Sequence, residues 1–365
     1  MMAKNCCGSH GGKRSLRESN RRAVHSSDTQ KIASLKNGSQ CNGKKFFTAT
    51  RLIWMSFTLS LRLLEATNWK DYELLDSGDG WKLERFGPFV FARPEAQAIW
   101  KPMLPSKEWR NVHARFEPAA EESGGHWTFY QKVPQRWELS YPLPSQEGVN
   151  TNERLRFWVM CTSGRHLGLF PEVAPHWDWL YPLLRQAGEK RQSRPRVLNL
   201  FGYTGLATLA AAAAGAEVTH VDASRKVVQW GQENAKLSGL EQRPIRWLVD
   251  DALKFVMREV RRGRSYDGIL LDPPKFGRGP KGEVWEVYES LPDLLDRVRQ
   301  VLSPHPLFLI LNLYAVRASA IHVAQALAEI VGGYSGRLEY GELLTRETHG
   351  GRYLSHAVYA RWGAV

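Results

Sequence analysis

Cysteine is scarce in this 365-residue chain. The four present are Cys6, Cys7, Cys41 and Cys161; three lie in the first 54 residues, and none is paired with histidines at metal-ligand spacing. That argues against a disulfide framework and a zinc site, and fits a reducing cytoplasm. No apolar run is long enough to span a bilayer. Acids are missing from one region: residues 1–54 hold eleven Lys and Arg against Glu18 and Asp28, leaving 39 cations against 35 acids in the remainder. The net charge of +13 is therefore no field over the whole body. Contacts to a polyanion there must come from local patches such as Arg258, Arg261, Arg262 and Arg264, or Lys275, Arg278 and Lys281. The first patch also reads as a solvated helix end.

Residues 1–54 show no sustained apolar period and have the composition of a segment that cannot offset its ordering entropy, so a disordered basic tail is expected. An acid-poor start with Arg and Ser resembles an organellar transit peptide but lacks a clean amphipathic helix. Translation from an upstream start is another reading, because Met55 immediately precedes the first well-patterned segment. With 43% hydrophobic residues the rest can build ordinary cores. Two further domains are expected: residues 55–170, β-rich and suited to substrate recognition, and residues 171–365, which carry the cofactor site.

Between Tyr72 and Phe170 short aromatic runs alternate with polar residues between Gly, Pro and Asp, as in Trp81–Phe86, Trp127–Val133, Arg136–Tyr141 and Leu155–Met160. These predict strands and hairpins of an α+β accessory domain. Its tryptophans suit base stacking, and equally a core. From Ala174 the pattern becomes helix, then strand and helix in alternation, with strands at Arg196–Leu200, Glu217–Val221, Ile245–Val249, Tyr266–Leu271 and Pro306–Leu313. Such alternation implies a doubly wound, Rossmann-like α/β parallel sheet. Leu338–Leu344 and Tyr353–Trp362 follow without an intervening helix and should close it to seven strands as an antiparallel hairpin.

Ligands of such sheets lie at the carboxyl ends of the strands. After the first strand comes Asn199-Leu200-Phe201-Gly202-Tyr203-Thr204-Gly205, a tight turn allowing close backbone approach. Asp222, twenty residues beyond Gly202, ends the second strand where an acid accepts bonds from ribose hydroxyls. Asp250-Asp251-Ala252 follows the third and suits an adenine amino group. Asp222 and Asp251 also suit helix caps, and Gly202–Gly205 a structural turn. The fourth strand runs into Asp272-Pro273-Pro274-Lys275-Phe276, where two prolines fix φ and remove two donors, making a stiff ledge. The first turn lacks the G-x-G-x-x-G spacing that a nicotinamide dinucleotide needs for its pyrophosphate. S-adenosylmethionine has no phosphate and needs acids for ribose with a polar loop for its methionine part.

The run Asn199–Gly205, Asp222, the segment Glu233–Leu240 and Asp272–Phe276 resemble the class I methyltransferases that modify large-subunit ribosomal RNA at cytosine C5 or guanine N7. The resemblance covers about Leu167 to Trp362. It implies S-adenosylmethionine as cofactor, structured RNA as substrate, and a cofactor site lined by Phe201, Gly202, Thr204, Asp222, Ala223, Asp251 and Asp272, with Glu172 and His176 as lesser members. The family's cysteine is expected after the fifth strand, where this sequence reads Asn312-Leu313-Tyr314-Ala315. Without a thiolate to attack C6, cytosine C5 stays inert, whereas a base nitrogen carries its own lone pair. The expected activity is methylation of a base nitrogen. Asp272 and the Pro-Pro backbone, Pro273 included, would hold the base edge, with Asp272 also able to accept a proton. Phe276 would stack on the base, Lys275 or Arg278 would meet phosphate, and residues 277–283 read as a mobile loop. Methylation of cytosine C5, a protein side chain or a small molecule stays open, as more distantly do a nicotinamide oxidoreductase and a non-catalytic RNA-binding module.

Overall fold

Period-two alternation of large aromatics builds the first half. A computed structural model describes residues 61–119, 124–144, 153–314 and 316–364. The expectations for residues 1–54 and for a start near Met55 lie outside the described residues. Strand β1 (Leu61–Glu65) is followed by β2 (Tyr72–Gly78), β3 (Trp81–Phe86), β4 (Phe89–Pro94), helix α1 (Ser106–Arg110), β5 (Ala114–Pro118) and β6 (Gly125–Phe129). Strands β2 to β6 form one sheet in sequence order, antiparallel except where β5 joins β4. A separate hairpin pairs β7 (Trp137–Pro142) with β8 (Arg154–Val159). The tryptophans serve mainly as core: Trp69 and Trp137 are buried, and Trp137 stacks on Phe91 with ring centroids 5.7 Å apart.

The second half runs α2 (Ala174–Arg191), β9 (Arg196–Leu200), α3 (Leu206–Ala213), β10 (Glu217–Asp222), α4 (Arg225–Leu237), β11 (Ile245–Val249), α5 (Ala252–Arg261) and β12 (Gly268–Leu271). Then come β13 (Phe276–Arg278), β14 (Val284–Glu286), α6 (Val287–Val301), β15 (Phe308–Leu313), α7 (Ala320–Val331), β16 (Gly336–Arg346) and β17 (Tyr353–Ala364). The large sheet has the order β1-β16-β17-β15-β12-β9-β10-β11, with β17 antiparallel to its neighbours. Seven of these eight strands are those expected from the sequence. The eighth, β1, pairs in parallel with β16 and extends the edge. Strands β12 and β15 are buried along their whole length, because helices cover both faces of this parallel sheet.

The segment 277–283, expected to be a mobile loop, lies within a β-hairpin. Phe276 pairs with Glu286 and Arg278 with Val284, while the Trp285 indole anchors the hairpin by donating to the Pro274 carbonyl at 2.7 Å. The two halves are tied by buried charge. Arg352, in the β16–β17 loop, donates to Asp76 at 3.0 Å and to Glu347 at 2.7 Å, two carboxylates with almost no solvent exposure.

Candidate active site

The sheet order reverses between β9 and β12, and there a pocket opens at the carboxyl ends of the strands, lined among others by Asn199, Gly202, Tyr203, Asp272 and Asn312. The loop after β9 is strained: Phe201 and Tyr203 adopt left-handed conformations with φ of 58° and 50°, which bulky side chains rarely accept. Gly202 is required for a different reason. A Cβ there would stand 2.4 Å from the His220 ring, which lies directly beneath. His220 belongs to a buried polar chain in which Asn199 Nδ2 donates to Thr208 Oγ1 at 2.9 Å and Thr208 Oγ1 meets His220 Nδ1 at 2.9 Å. Burial pushes His220 down to about 3, so it stays neutral. Thr204 donates its hydroxyl to the Gly168 carbonyl at 2.7 Å, and Gly205 caps α3 with φ of 84°.

The acids divide by environment. Asp222 accepts the Tyr203 amide at 2.9 Å and the Ser224 amide at 2.9 Å. Burial raises its carboxyl, with the amides of Ser224, Tyr203 and Ala223 pulling the other way. Each oxygen keeps a second lone pair for a ligand hydroxyl. Asp251 accepts from the Lys254 amide at 2.9 Å, so it does cap α5, and Ala252 opens that helix as a buried residue. Asp250 is paired with Arg258. Neither Asp222, Ala223, Asp251 nor Ala252 lines the pocket; they sit at the ends of β10 and β11 beside it.

Asp272 is the chemically distinctive group. Its Oδ1 is buried with no hydrogen-bond partner among the described residues. Burial, then the nearby Glu172 carboxylate, push it up to about 7 against the pull of the Asn312 amide. His176 Nε2 lies 2.8 Å from Asn312 Oδ1. Burial lowers His176 to about 3, leaving a neutral ring. A neutral ring carries its proton on one nitrogen only, and facing an amide oxygen that nitrogen is Nε2. The amide is then turned so that its NH2 serves Asp272. Beyond Asp272, Pro273 is buried while Lys275 and Phe276 are exposed, so the ledge leads from pocket to surface.

Sequence reasoning passed over two pocket groups, Asn312 and Phe170, and the neighbouring Tyr314. Asn312 follows the apolar run Phe308–Leu311 as the first polar residue of its strand, the same signal that marks Asp272. The Phe170 ring lies between Tyr203 and Tyr314, 5.4 Å from the first and 6.0 Å from the second. No sequence period flagged these rings, because they come from three separate connections.

The profile of the S-adenosylmethionine-dependent methyltransferases matches residues 135–321. The chain belongs to this family. A SAM-dependent methyltransferase structure from Agrobacterium tumefaciens is 44% identical, with a TM-score of 0.74 over 83% of this chain and 94% of that one. A methyltransferase structure complexed with SAH is 18% identical, with a TM-score of 0.59 over 81% of this chain and 76% of that one, a likeness of fold alone. The ribosomal RNA large subunit methyltransferase K/L of Pseudoalteromonas translucida is 37% identical over 111 residues, 30% of this chain. The matched region spans about 15% of that relative's length. The nicotinamide oxidoreductase and the non-catalytic module therefore give way to a methyltransferase with S-adenosylmethionine as cofactor. The donor set fits that cofactor: acids at the ends of two adjacent strands, a glycine held against His220, and no phosphate-cradling turn. The pocket's space of about 60 Å³ takes only one end of such a molecule. The remainder would lie along the open shelf toward Asp222 and Asp251.

Proposed function

We propose that this methyltransferase acts on a base nitrogen of ribosomal RNA in the cytoplasm. The carrying observation is the buried, unpartnered Oδ1 of Asp272 at the foot of a proline ledge that ends in exposed Phe276. An acceptor so placed suits an N–H edge, and a flat aromatic beside it suits the face of a base. The family resemblance and the rRNA methyltransferase relatives support ribosomal RNA as the source of that base.

In this reading Asp222 holds the ribose hydroxyls of the cofactor and Asp251, with the backbone at Ala252, its adenine. Asn199, Phe201, Gly202, Tyr203, Thr204, Gly205 and Ala223 shape the wall along it. S-adenosylmethionine supplies an electrophilic methyl group. Pro273 and Pro274 set the plane of the incoming base, Phe276 covers its face and Lys275 meets a phosphate. Asp272 accepts the proton that the nitrogen loses on alkylation, a task its value of about 7 suits near neutral pH. Cys161, the one cysteine among the described residues, serves no C5 route in this reading: burial pushes its thiol up to about 12, far from a ready thiolate.

The test is methyl mapping of ribosomal RNA from a strain lacking the protein. One base methylation should be absent, restored by the wild-type chain and not by Asp272→Ala. An unchanged RNA map, with label appearing instead in protein or small molecules, would refute the substrate assignment.

A further inference from the structure

The strands of the large sheet have two ends, and the pocket above occupies only one. At the opposite end lies a second cleft of about 430 Å³ whose walls include Arg196, Arg246, Arg262, Arg264, Glu217 and Glu259. Its four arginines come from different places: the start of β9, the edge strand β11, the C-cap of α5 and the loop after it. Glu259 is buried, and its carboxylate is already engaged, taking the Tyr266 hydroxyl at 2.7 Å and Arg262 Nη1 at 2.9 Å. Arg246 stands off from it at 4.0 Å. Arg196 turns one guanidinium nitrogen to the neutral Ser265 hydroxyl at 3.0 Å. Among the described residues neither the Arg196 nor the Arg264 guanidinium has a carboxylate within 4.0 Å, although the Arg196 backbone amide donates to Asp267 at 2.8 Å. Four guanidinium groups thus face two carboxylates, one of them buried and consumed.

The fold gives only part of the reason. The dipole of α5 favours cations in its last turn, which accounts for Arg258, Arg261 and Arg262. Arg246 reaches Glu259 and lies over the Phe255 ring, but the dipole gives no reason for Arg196 on its strand, nor for the convergence of the four, since like charges repel. A planar guanidinium fork matches a phosphate group, and four of them around an open cleft match a run of phosphates.

We infer that this cleft binds RNA phosphates, a second anchor that holds the nucleic acid while the target base occupies the pocket at the other end of the sheet. The inference deepens the RNA reading of the preceding subsection and rests on it. The five residues of β9 set the two sites roughly 17 Å apart, at about 3.3 Å per residue. The chain beyond residue 54, with 39 cations against 35 acids, needs such local anchors, because no general field steers the polyanion.

The experiment uses the full chain, a fluorescein-labelled RNA hairpin as probe and anisotropy across a salt series. In the Arg196→Gln/Arg264→Gln double variant the slope of log affinity against log salt should fall by about 1 to 2, and binding at moderate salt should weaken roughly tenfold. Lys107→Gln/Arg110→Gln on α1, with the same charge change, serves as control, and cofactor affinity by calorimetry should match wild type in both. Equal slopes in the two variants would overturn the inference. If the double variant methylates ribosomal RNA with unchanged KM, the anchor fails and the substrate reading survives. If RNA binding depends on the cleft but no RNA is methylated, the substrate reading fails and the anchor stands.

Discussion

Two carboxylates in this chain are both pushed up by burial yet held in opposite states, Glu84 as a buried residue and Asp272 as a half-buried one whose Oδ1 is enclosed. Glu84, on β3 of the accessory sheet, takes Arg93 Nε at 2.7 Å and Nη2 at 2.8 Å, and the Tyr72 hydroxyl at 3.0 Å. Burial alone would raise it, but Arg93 and Lys82 outweigh burial and hold it at about 2. Asp272 has no guanidinium beside it, keeps one oxygen without a partner and stands at about 7. Burial is thus common to both, and the partners decide the outcome. A saturated carboxylate is part of the scaffold, whereas an unsaturated one beside a pocket is available for chemistry.

The sharpest way to break this contrast is Asp272→Asn. The amide keeps the shape and removes the proton acceptor, so turnover should fall about 10²- to 10⁴-fold. Stability should hold or rise, because an unpaired buried acid is replaced by a neutral group. Single-turnover transfer and urea unfolding on one preparation check both halves; transfer at the wild-type rate would remove Asp272 from the mechanism.

At Glu84 the expected loss is structural. Arg93→Met leaves a buried carboxylate without its main partner and should cost about 3–5 kcal/mol in urea unfolding. Adding Glu84→Gln should recover most of that loss, and a double variant no better than the single would show that Arg93 acts through packing alone. The pH dependence has opposite signs at the two sites. Glu84 lies below its ordinary 4.5, so its contribution is full above that value and is lost as pH falls toward about 2. Asp272 lies above its ordinary 3.8, so ionising it in the folded state works against stability as pH climbs through about 7.

The same contrast separates what the sequence discloses from what it conceals. Strand ends are legible because an apolar run that stops at an acid marks both position and direction, and Asp222 and Asp272 were found that way. Partners are not legible. Arg93 lies nine residues from Glu84 across a hairpin, and Arg352 reaches Asp76 from 276 residues away. Whether a buried acid is saturated depends on such distant pairings. Asp251 shows the limit from the other side: its place at a strand end suits a ligand, and the structure also uses it as a helix cap. Leu61–Glu65 falls within the range 55–170 expected for the accessory domain, and nothing local in it specifies that its partner is β16.

A pH profile probes the open carboxylate directly. Transfer should rise with pH and level off above about 7, because only the ionised Asp272 accepts a proton. His176, His166 and His220 all lie near 3 and stay neutral through this range, so none of them produces the limb. A flat profile between pH 5 and 9, with chemistry shown to be rate-limiting, would mean that proton acceptance lies elsewhere.

The smallest expected effect tests whether Glu172 speaks to Asp272. Glu172 lies in the single 3₁₀ turn before α2 and is itself raised, first by burial. Its charge is the second cause of the elevation at Asp272, after burial. Glu172→Gln removes that charge and leaves the burial, so the rising limb should move to lower pH while the plateau rate is kept. The sign follows from like charges: with Glu172 neutral, ionising Asp272 meets less opposition, and a given fraction of acceptor is reached in more acid solution. Two carboxylates so coupled titrate as a pair, so wild type should also show a broader limb than the variant. An unmoved limb with an unchanged plateau would leave burial as the sole source of the elevation. A lost plateau would instead make Glu172 part of the catalytic pocket, and the pair rather than Asp272 alone the counterpart of the saturated site at Glu84.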